Sequence, residues 1–330
     1  MRRVWPERSG WLRLRRDGEP WRRVVSTVVA FVAVVVALAA LLARQVAFDW
    51  QPLIVLAAFS HQLMWAAGVG LVAVLARRWL LAVVAVVCCT LVLLIQLPPV
   101  LRSPPSTTGR PLVVLQANLK IGSADAGAVV RLVRQHRVDL LATEELTTAE
   151  QSRLLAAGLG GLLAHRYTAP LRDGGGGGLG IWSRYPVSAG RNLPGYELGV
   201  LAVRVALPAG PTTFVAVHLL PPYPYPAGTW TSEITRLRGF LRGLTGPVVV
   251  SGDFNATVDH ARFRALLGDG YADATSRAGE GYTATYPTDR WFPPLIAIDH
   301  VLARSVGVVS TQTVALPGSD HRGLLVELRR

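Results

Sequence analysis

Long apolar runs lead the chain, and a finer alternation follows them. Residues 24–43 are apolar or small without a charge, residues 53–76 are interrupted only by Ser60, His61 and Gln62, and residues 79–97 run up to Pro98 and Pro99. Each run is apolar on every face and long enough to cross a hydrocarbon core of ~30 Å, so the pattern predicts three transmembrane helices, the last stopped by proline. Beyond residue 110 the period shortens. Aliphatic and β-branched runs predict strands at 112–117, 139–143, 179–183, 201–207, 213–218, 247–251, 297–303, 306–314 and 323–328. Helical spacing predicts helices at 124–136, 148–155, 231–244 and 259–267. The turn at 208–211 joins two of the strands as a hairpin. Many short strands among a few helices predict an α/β fold, a four-layer sandwich of two packed mixed sheets flanked by helices and preceded by the three transmembrane helices. The layout is then an Arg-rich tail (1–23), a membrane part (24–97), a Pro- and Ser/Thr-rich linker (98–110) and one large domain (111–330).

Charge orients this layout. Of a net +13, residues 1–102 carry 12 Arg against 4 acids and residues 103–330 carry 22 basic against 17 acidic side chains. Eight Arg precede the first run, and Arg77 and Arg78 form the second turn. By the positive-inside rule the N-terminus and that turn are cytoplasmic, so the expectation is a multi-pass protein of the cell membrane with residues 98–330 extracellular. A domain of +5 tolerates anionic substrates but lacks the dense basic stripe of a dedicated nucleic-acid binder. Both cysteines, Cys88 and Cys89, fall in the third apolar run, which leaves the large domain free of thiols, as suits an exported domain. Within the second run, Ser60, His61 and Gln62 are expected to hydrogen-bond between helices.

Candidate chemistry gathers where predicted strands end. The segment VVVSGDFNAT (248–257) carries Asp253 and Asn255, two apart on extended chain and therefore on one face. A carboxylate that deprotonates water beside an amide that donates to a phosphate oxygen suits a phosphoryl centre; the plainer reading is a polar turn after a buried strand. Two Asp-His pairs follow, Asp299-His300 and Asp320-His321. A carboxylate fixes a histidine's tautomer and stabilises its imidazolium, although a lone Asp-His is commonly a surface turn. Asn118 ends VVLQAN, Glu144 and Glu145 end LLATEEL, and His218 ends FVAVH. A carboxylate at a sheet rim can hold a hard cation such as Mg²⁺ through oxygen ligands.

The ordered set QANLK, DLLATEEL, LGIWSRYPV, VAVHL, VVSGDFNAT, IDHVLA and SDHRG resembles the endonuclease/exonuclease/phosphatase superfamily over residues 111–330. That superfamily includes deoxyribonuclease I-like nucleases, inositol-phosphate phosphatases and neutral sphingomyelinases. The membrane-spanning N-terminus is similar to that of a membrane-bound branch linked to glycopeptide-antibiotic resistance in actinobacteria. The resemblance implies that Asn118 helps bind phosphate and metal and that Glu145 is the principal metal ligand. It makes His218 a contact to phosphate oxygens and Asp253 the group that positions or deprotonates water, with Asn255 beside it. It has Asp299 orient His321, Asp320 assist at the metal, and His321 stabilise the transition state. The implied cofactor is Mg²⁺, with Mn²⁺ as the alternative. Glu144 departs from the family pattern, which has Gln there. Because neighbouring strand residues face opposite ways, Glu145 is preferred as the ligand. By the same alternation His300 turns away from Asp299's side and is structural.

The expected activity is metal-dependent hydrolysis of a phosphate ester or anhydride. Tethering at the outer leaflet favours a lipid-linked phosphate such as a polyprenyl carrier. A membrane-tethered extracellular nuclease and a non-catalytic scaffold are the rival readings, so the expected partners are the bilayer and a phosphorylated substrate, with nucleic acid second; no feature sets an oligomeric state. The five glycines at 174–178 read as a flexible loop flanking the substrate, and His136, His165 and His260 as surface residues. Tyr223, Tyr225, Trp291 and Phe292 lie on Pro-rich loops and read as a substrate wall, a membrane contact or plain loop packing.

Overall fold

A computed structural model describes residues 20–68, 79–101, 110–171 and 176–329. The expectations placed on the tail 1–19, the turn at Arg77 and Arg78, linker residues 102–109, and Gly174 and Gly175 lie outside the described residues.

Twelve strands are described: β1 Pro111–Asn118, β2 Leu140–Glu144, β3 His165–Ala169, β4 Leu179–Ser183, β5 Val187–Asn192, β6 Gly199–Val205, β7 Thr212–His218, β8 Val248–Asp253, β9 Ala272–Asp273, β10 Asp299–Arg304, β11 Gly307–Ala315 and β12 Arg322–Arg329. They form two six-stranded sheets, ordered β11-β12-β1-β2-β4-β3 and β5-β6-β7-β8-β10-β9. Both sheets are mixed: β1 runs parallel to β2 and β7 parallel to β8, and every other pairing is antiparallel. Residues of one parity face between the sheets. Val114, Leu140, Ala142, Phe214, Ala216, Val249 and Val301 make that inner core. The opposite parity packs under helices. Leu115, Ala117 and Leu141 meet Val129 and Val133 of a helix at Ala126–Gln135, which Asp125 caps. On the other sheet Val215, Val217 and Val250 meet Trp230, Ile234 and Leu237 of the helix Ala227–Gly243. The predicted α/β fold of two mixed sheets flanked by helices is the observed one.

Three strands escaped the sequence pattern, β3, β5 and the two-residue β9, and all three are sheet edges. No residue of β3 is fully buried, and five of the six in β5 are exposed, so neither carries the apolar signal of a central strand.

The three predicted spans are corrected by the structure. Among the described residues one helix, Val24–Gln45 within α1 (Pro20–Gln45), is long and apolar enough to cross a membrane. The second run breaks into α2 (Gln51–Ala58) and α3 (Ser60–Leu63), with Phe59 between them at φ −99° and ψ 6°. The third forms α4 (Trp79–Leu101), in which Ala82–Leu97 is the apolar stretch among the described side chains. Polar partners explain the break. The Ser60 hydroxyl donates to the Ala40 carbonyl at 3.0 Å, and the Gln62 amide donates to the carbonyl of Leu295, far along the chain. Ala37, Ala40, Met64, Cys88 and Val92 pack α1 against α3 and α4. Away from that contact, α1 exposes a stripe of Val24, Val28, Phe31, Val35, Leu38 and Leu42, the 3.6-residue repeat of one helix face.

Candidate active site

The pairing register brings the chemistry to one edge of the sandwich. Asn118 at the end of β1 pairs with Glu144 at the end of the parallel β2. His218 ends β7 opposite Asp253, which ends the parallel β8, and Asp253 pairs in turn with Asp299, the first residue of the antiparallel β10. His321 sits just before β12. Gly252 makes the close strand contact: a Cβ there would collide with the carbonyl oxygen of Val217. After β8, Asn255 adopts a left-handed backbone at φ 47°, and its N–H donates to Asp253 Oδ1 at 2.8 Å.

Glu144 and Glu145 face apart. Glu144 lies in the dry interior beneath the site and accepts from Gln116 Nε2 at 2.8 Å. Burial, reinforced by Asp299, pushes its pKa well above the ordinary carboxylate value, which favours the protonated form. Glu145 instead reaches the cavity because its backbone turns left-handed, at φ 54°, once the strand has ended. Its carboxylate accepts from Asn118 Nδ2 at 3.1 Å and from the Ile121 N–H at 2.8 Å. Burial raises its pKa, and the Asn118 bond partly offsets this.

Asp299 Oδ2 accepts from His321 Nδ1 at 2.8 Å. Burial disfavours the charged ring, but Asp299 outweighs burial and lifts the His321 pKa to about 10. The same contact holds Asp299 below its ordinary value in spite of burial. Asp253 Oδ2 stands 3.8 Å from His321 Nε2 and 3.7 Å from His218 Nε2. Burial, aided by Asp299, raises Asp253 to about 8. His218 donates from Nδ1 to the Gly176 carbonyl at 3.0 Å, and burial, then the His321 charge, lowers it to about 4. The neutral ring therefore presents a bare Nε2, which becomes a donor only when an arriving anion favours the imidazolium.

A cavity of about 490 Å³ opens over these groups, lined by Glu145, His218, Asp253, Asn255, Asp320 and His321 among others. Three carboxylates face it, and among the described residues no Lys or Arg lines it. Lys120 stands aside on Asp289 at 2.9 Å, with its ammonium 4.0 Å from Asp320. Three carboxylates with an amide oxygen nearby and no lining Lys or Arg among the described residues suit a hard divalent cation. Asp253, Asp299 and His321 also bring possible ligand atoms within 4.8 Å of one another. The Asp299–His321 bond already occupies that group, so Glu145, Asn118 and Asp320 fit the cation better.

The structure thus brings all eight sequence-predicted residues to one edge, with Asn118, Asp299 and Glu144 forming its floor. One amide hydrogen of Asn255 is committed to the Leu219 carbonyl at 2.8 Å, which leaves the other for a ligand. His300 faces the outer side and bonds Asp273 at 2.8 Å and the Ala256 carbonyl at 2.9 Å, as expected of a structural residue. His260 is not a surface residue: it is buried, and its Nε2 donates to the Ile54 carbonyl at 3.0 Å because α2 covers it. Tyr223 and Tyr225 line the cavity mouth, whereas Trp291 is 95% exposed and packs edge-on against Phe292. Gln116 was missed; its amide bridges Glu144 and Asp299, at 2.8 and 2.7 Å. Its place two residues before Asn118 on one strand face was the available signal.

No curated protein matches the chain. Solved structures do match the fold. D. rerio TDP2 complexed with a single-strand DNA product is 14% identical at a TM-score of 0.57, over 67% of this chain and 99% of that one. The 3′ phosphatase NExo from Neisseria, bound to a product DNA hairpin, is 19% identical at 0.54, over 66% and 100%. An endonuclease/exonuclease/phosphatase from Beutenbergia cavernae is 20% identical at 0.52, over 67% and 72%. The sequence profile of the endonuclease/exonuclease/phosphatase family matches residues 115–321, most of the chain and all of the site, and the protein belongs to that family.

Proposed function

We propose that this protein is a membrane-tethered phosphoesterase that hydrolyses a phosphate ester or anhydride with a divalent cation, Mg²⁺ first and Mn²⁺ as the alternative. The observation that carries this reading is the convergence of Glu145, His218, Asp253, Asn255 and His321 on one cavity, with the Asp299–His321 pair beneath it. Glu145, Asn118 and Asp320 hold the cation, which supplies charge neutralisation at the phosphate oxygens. Asp253 takes a proton from water as the oxygen–phosphorus bond forms and the bond to the leaving group breaks. The His321 imidazolium, kept charged by Asp299, stabilises the negative charge that builds up, and Asn255 and His218 bind the phosphate oxygens.

The tether is α1, whose exposed apolar stripe suits lipid. With the Arg-rich segment before it kept in the cytoplasm, the catalytic edge faces the outer leaflet. A lipid-linked phosphate or pyrophosphate there is the preferred substrate. The test uses the full chain in detergent with Mg²⁺, assaying phosphate release from polyprenyl pyrophosphate and nicking of plasmid DNA side by side. Asp253→Ala is expected to abolish turnover while leaving the melting temperature in place. Full activity in that variant refutes the assignment of the base, and DNA nicking without lipid turnover makes the protein a tethered nuclease instead.

A further inference from the structure

The cavity over the catalytic edge has a wall that the sandwich does not supply. Ile54, Val55, Ala58 and Phe59, from α2 and the break after it, line the same cavity as Glu145, Asp253 and His321. Leu220 and Ile298 line it as well. Charged groups therefore occupy the floor and hydrocarbon the sides, and no Lys or Arg among the described residues offers a track for a polyanion.

This wall is bolted down. Arg44, at the end of α1, bonds Asp259 at 2.6 Å, and Asp259 is buried. The Gln51 amide donates to the carbonyls of Pro222 at 2.7 Å and Tyr225 at 2.9 Å, two residues that also line the cavity. His260 holds the Ile54 carbonyl, and the His61 ring stacks on Tyr282 with centroids 3.9 Å apart. Only residues 46–50 separate α1 from α2, so the wall continues from the apolar helix into the cavity.

We propose that α2 is a specificity element: its apolar face binds a hydrocarbon chain attached to the scissile phosphate and so selects long-chain phosphate esters or pyrophosphates over short-chain or polyanionic ones. This rests on the phosphoesterase reading of the floor. Burying each further methylene strengthens binding by about fourfold, so long chains gain and short ones do not reach the wall.

The experiment measures kcat/KM for butyl and dodecyl phosphate with the full chain in one detergent with Mg²⁺, comparing wild type with Val55→Ser/Phe59→Ala. The dodecyl-to-butyl ratio is expected to fall about fifteenfold in the variant, the contact of roughly two methylenes. The same ratio in both proteins overturns the proposal and leaves the phosphoesterase reading standing. A dodecyl phosphate with a diazirine at mid-chain gives an independent readout: photolabelling is expected within residues 54–59, and labelling confined to other segments overturns the wall. If neither alkyl ester is hydrolysed, the pyrophosphate assay decides the phosphoesterase reading, and the labelling pattern still decides the role of α2.

Discussion

At the scale of single residues, the site is a set of shifted protonation equilibria that burial and neighbours impose together. His321 and Asp253 have the largest stakes. The His321 folded pKa of about 10 lies above the ordinary histidine value of 6.5, so the ion pair with Asp299 contributes its full stability below pH 6.5 and loses it as pH rises towards 10. Asp253 acts in the same direction, because a folded pKa of about 8 makes its ionisation costly as pH climbs from the carboxylate range. In metal-free protein, Asp299→Asn is expected to lower stability at pH 6 by about 3–5 kcal/mol, as the loss of a buried partner does, and the gap to wild type is expected to close towards pH 10. Denaturant melts at both pH values check this; a gap independent of pH would show that the pair is not ionised. Most of these residues were legible because they end aliphatic strands and share a parity. The family pattern and strand alternation together favour Glu145 over Glu144, whereas the left-handed turn that brings Glu145 to the cavity is something no sequence periodicity reports.

At the scale of elements, strand pairing does the positioning. Two parallel pairs, β1 with β2 and β7 with β8, end at the same edge where the antiparallel β10 starts, so polar residues placed one per strand end become neighbours without any long loop to hold them. Gly252 is the tightest point of this arrangement, with Val217 filling the place of a side chain. Gly252→Ala is expected to cost about 1–3 kcal/mol by the overpacking it forces and to reduce turnover, since Asp253 is the next residue; thermal melts and phosphate release check both. Central strands and the helices that cover them announced themselves by apolar runs. The edge strands β3 and β5 did not, and the polar interruption at Ser60, His61 and Gln62 was visible but not interpretable, since Tyr282 and Leu295, partners of His61 and Gln62, lie more than two hundred residues away.

At the scale of the whole molecule, the N-terminal helices and the sandwich form one body rather than a domain on a string. Arg44 with Asp259, Arg262 with Asp49, and His260 with Ile54 all cross that junction. Asp259 is nearly inaccessible, so Arg44→Ala strands a buried carboxylate and is expected to destabilise the protein by about 3 kcal/mol. Adding Asp259→Ala should recover part of that loss, and a double-mutant cycle by thermal unfolding in detergent measures the coupling. Additive losses would show that the pair contributes nothing. The rigid junction has a kinetic corollary. An enzyme on a leash samples a volume, but one bolted to its anchor sweeps a plane at fixed height. On the tethered reading, its encounter rate follows the number of substrate molecules per unit area of bilayer, and diluting the substrate with inert lipid slows it as surely as removing substrate does.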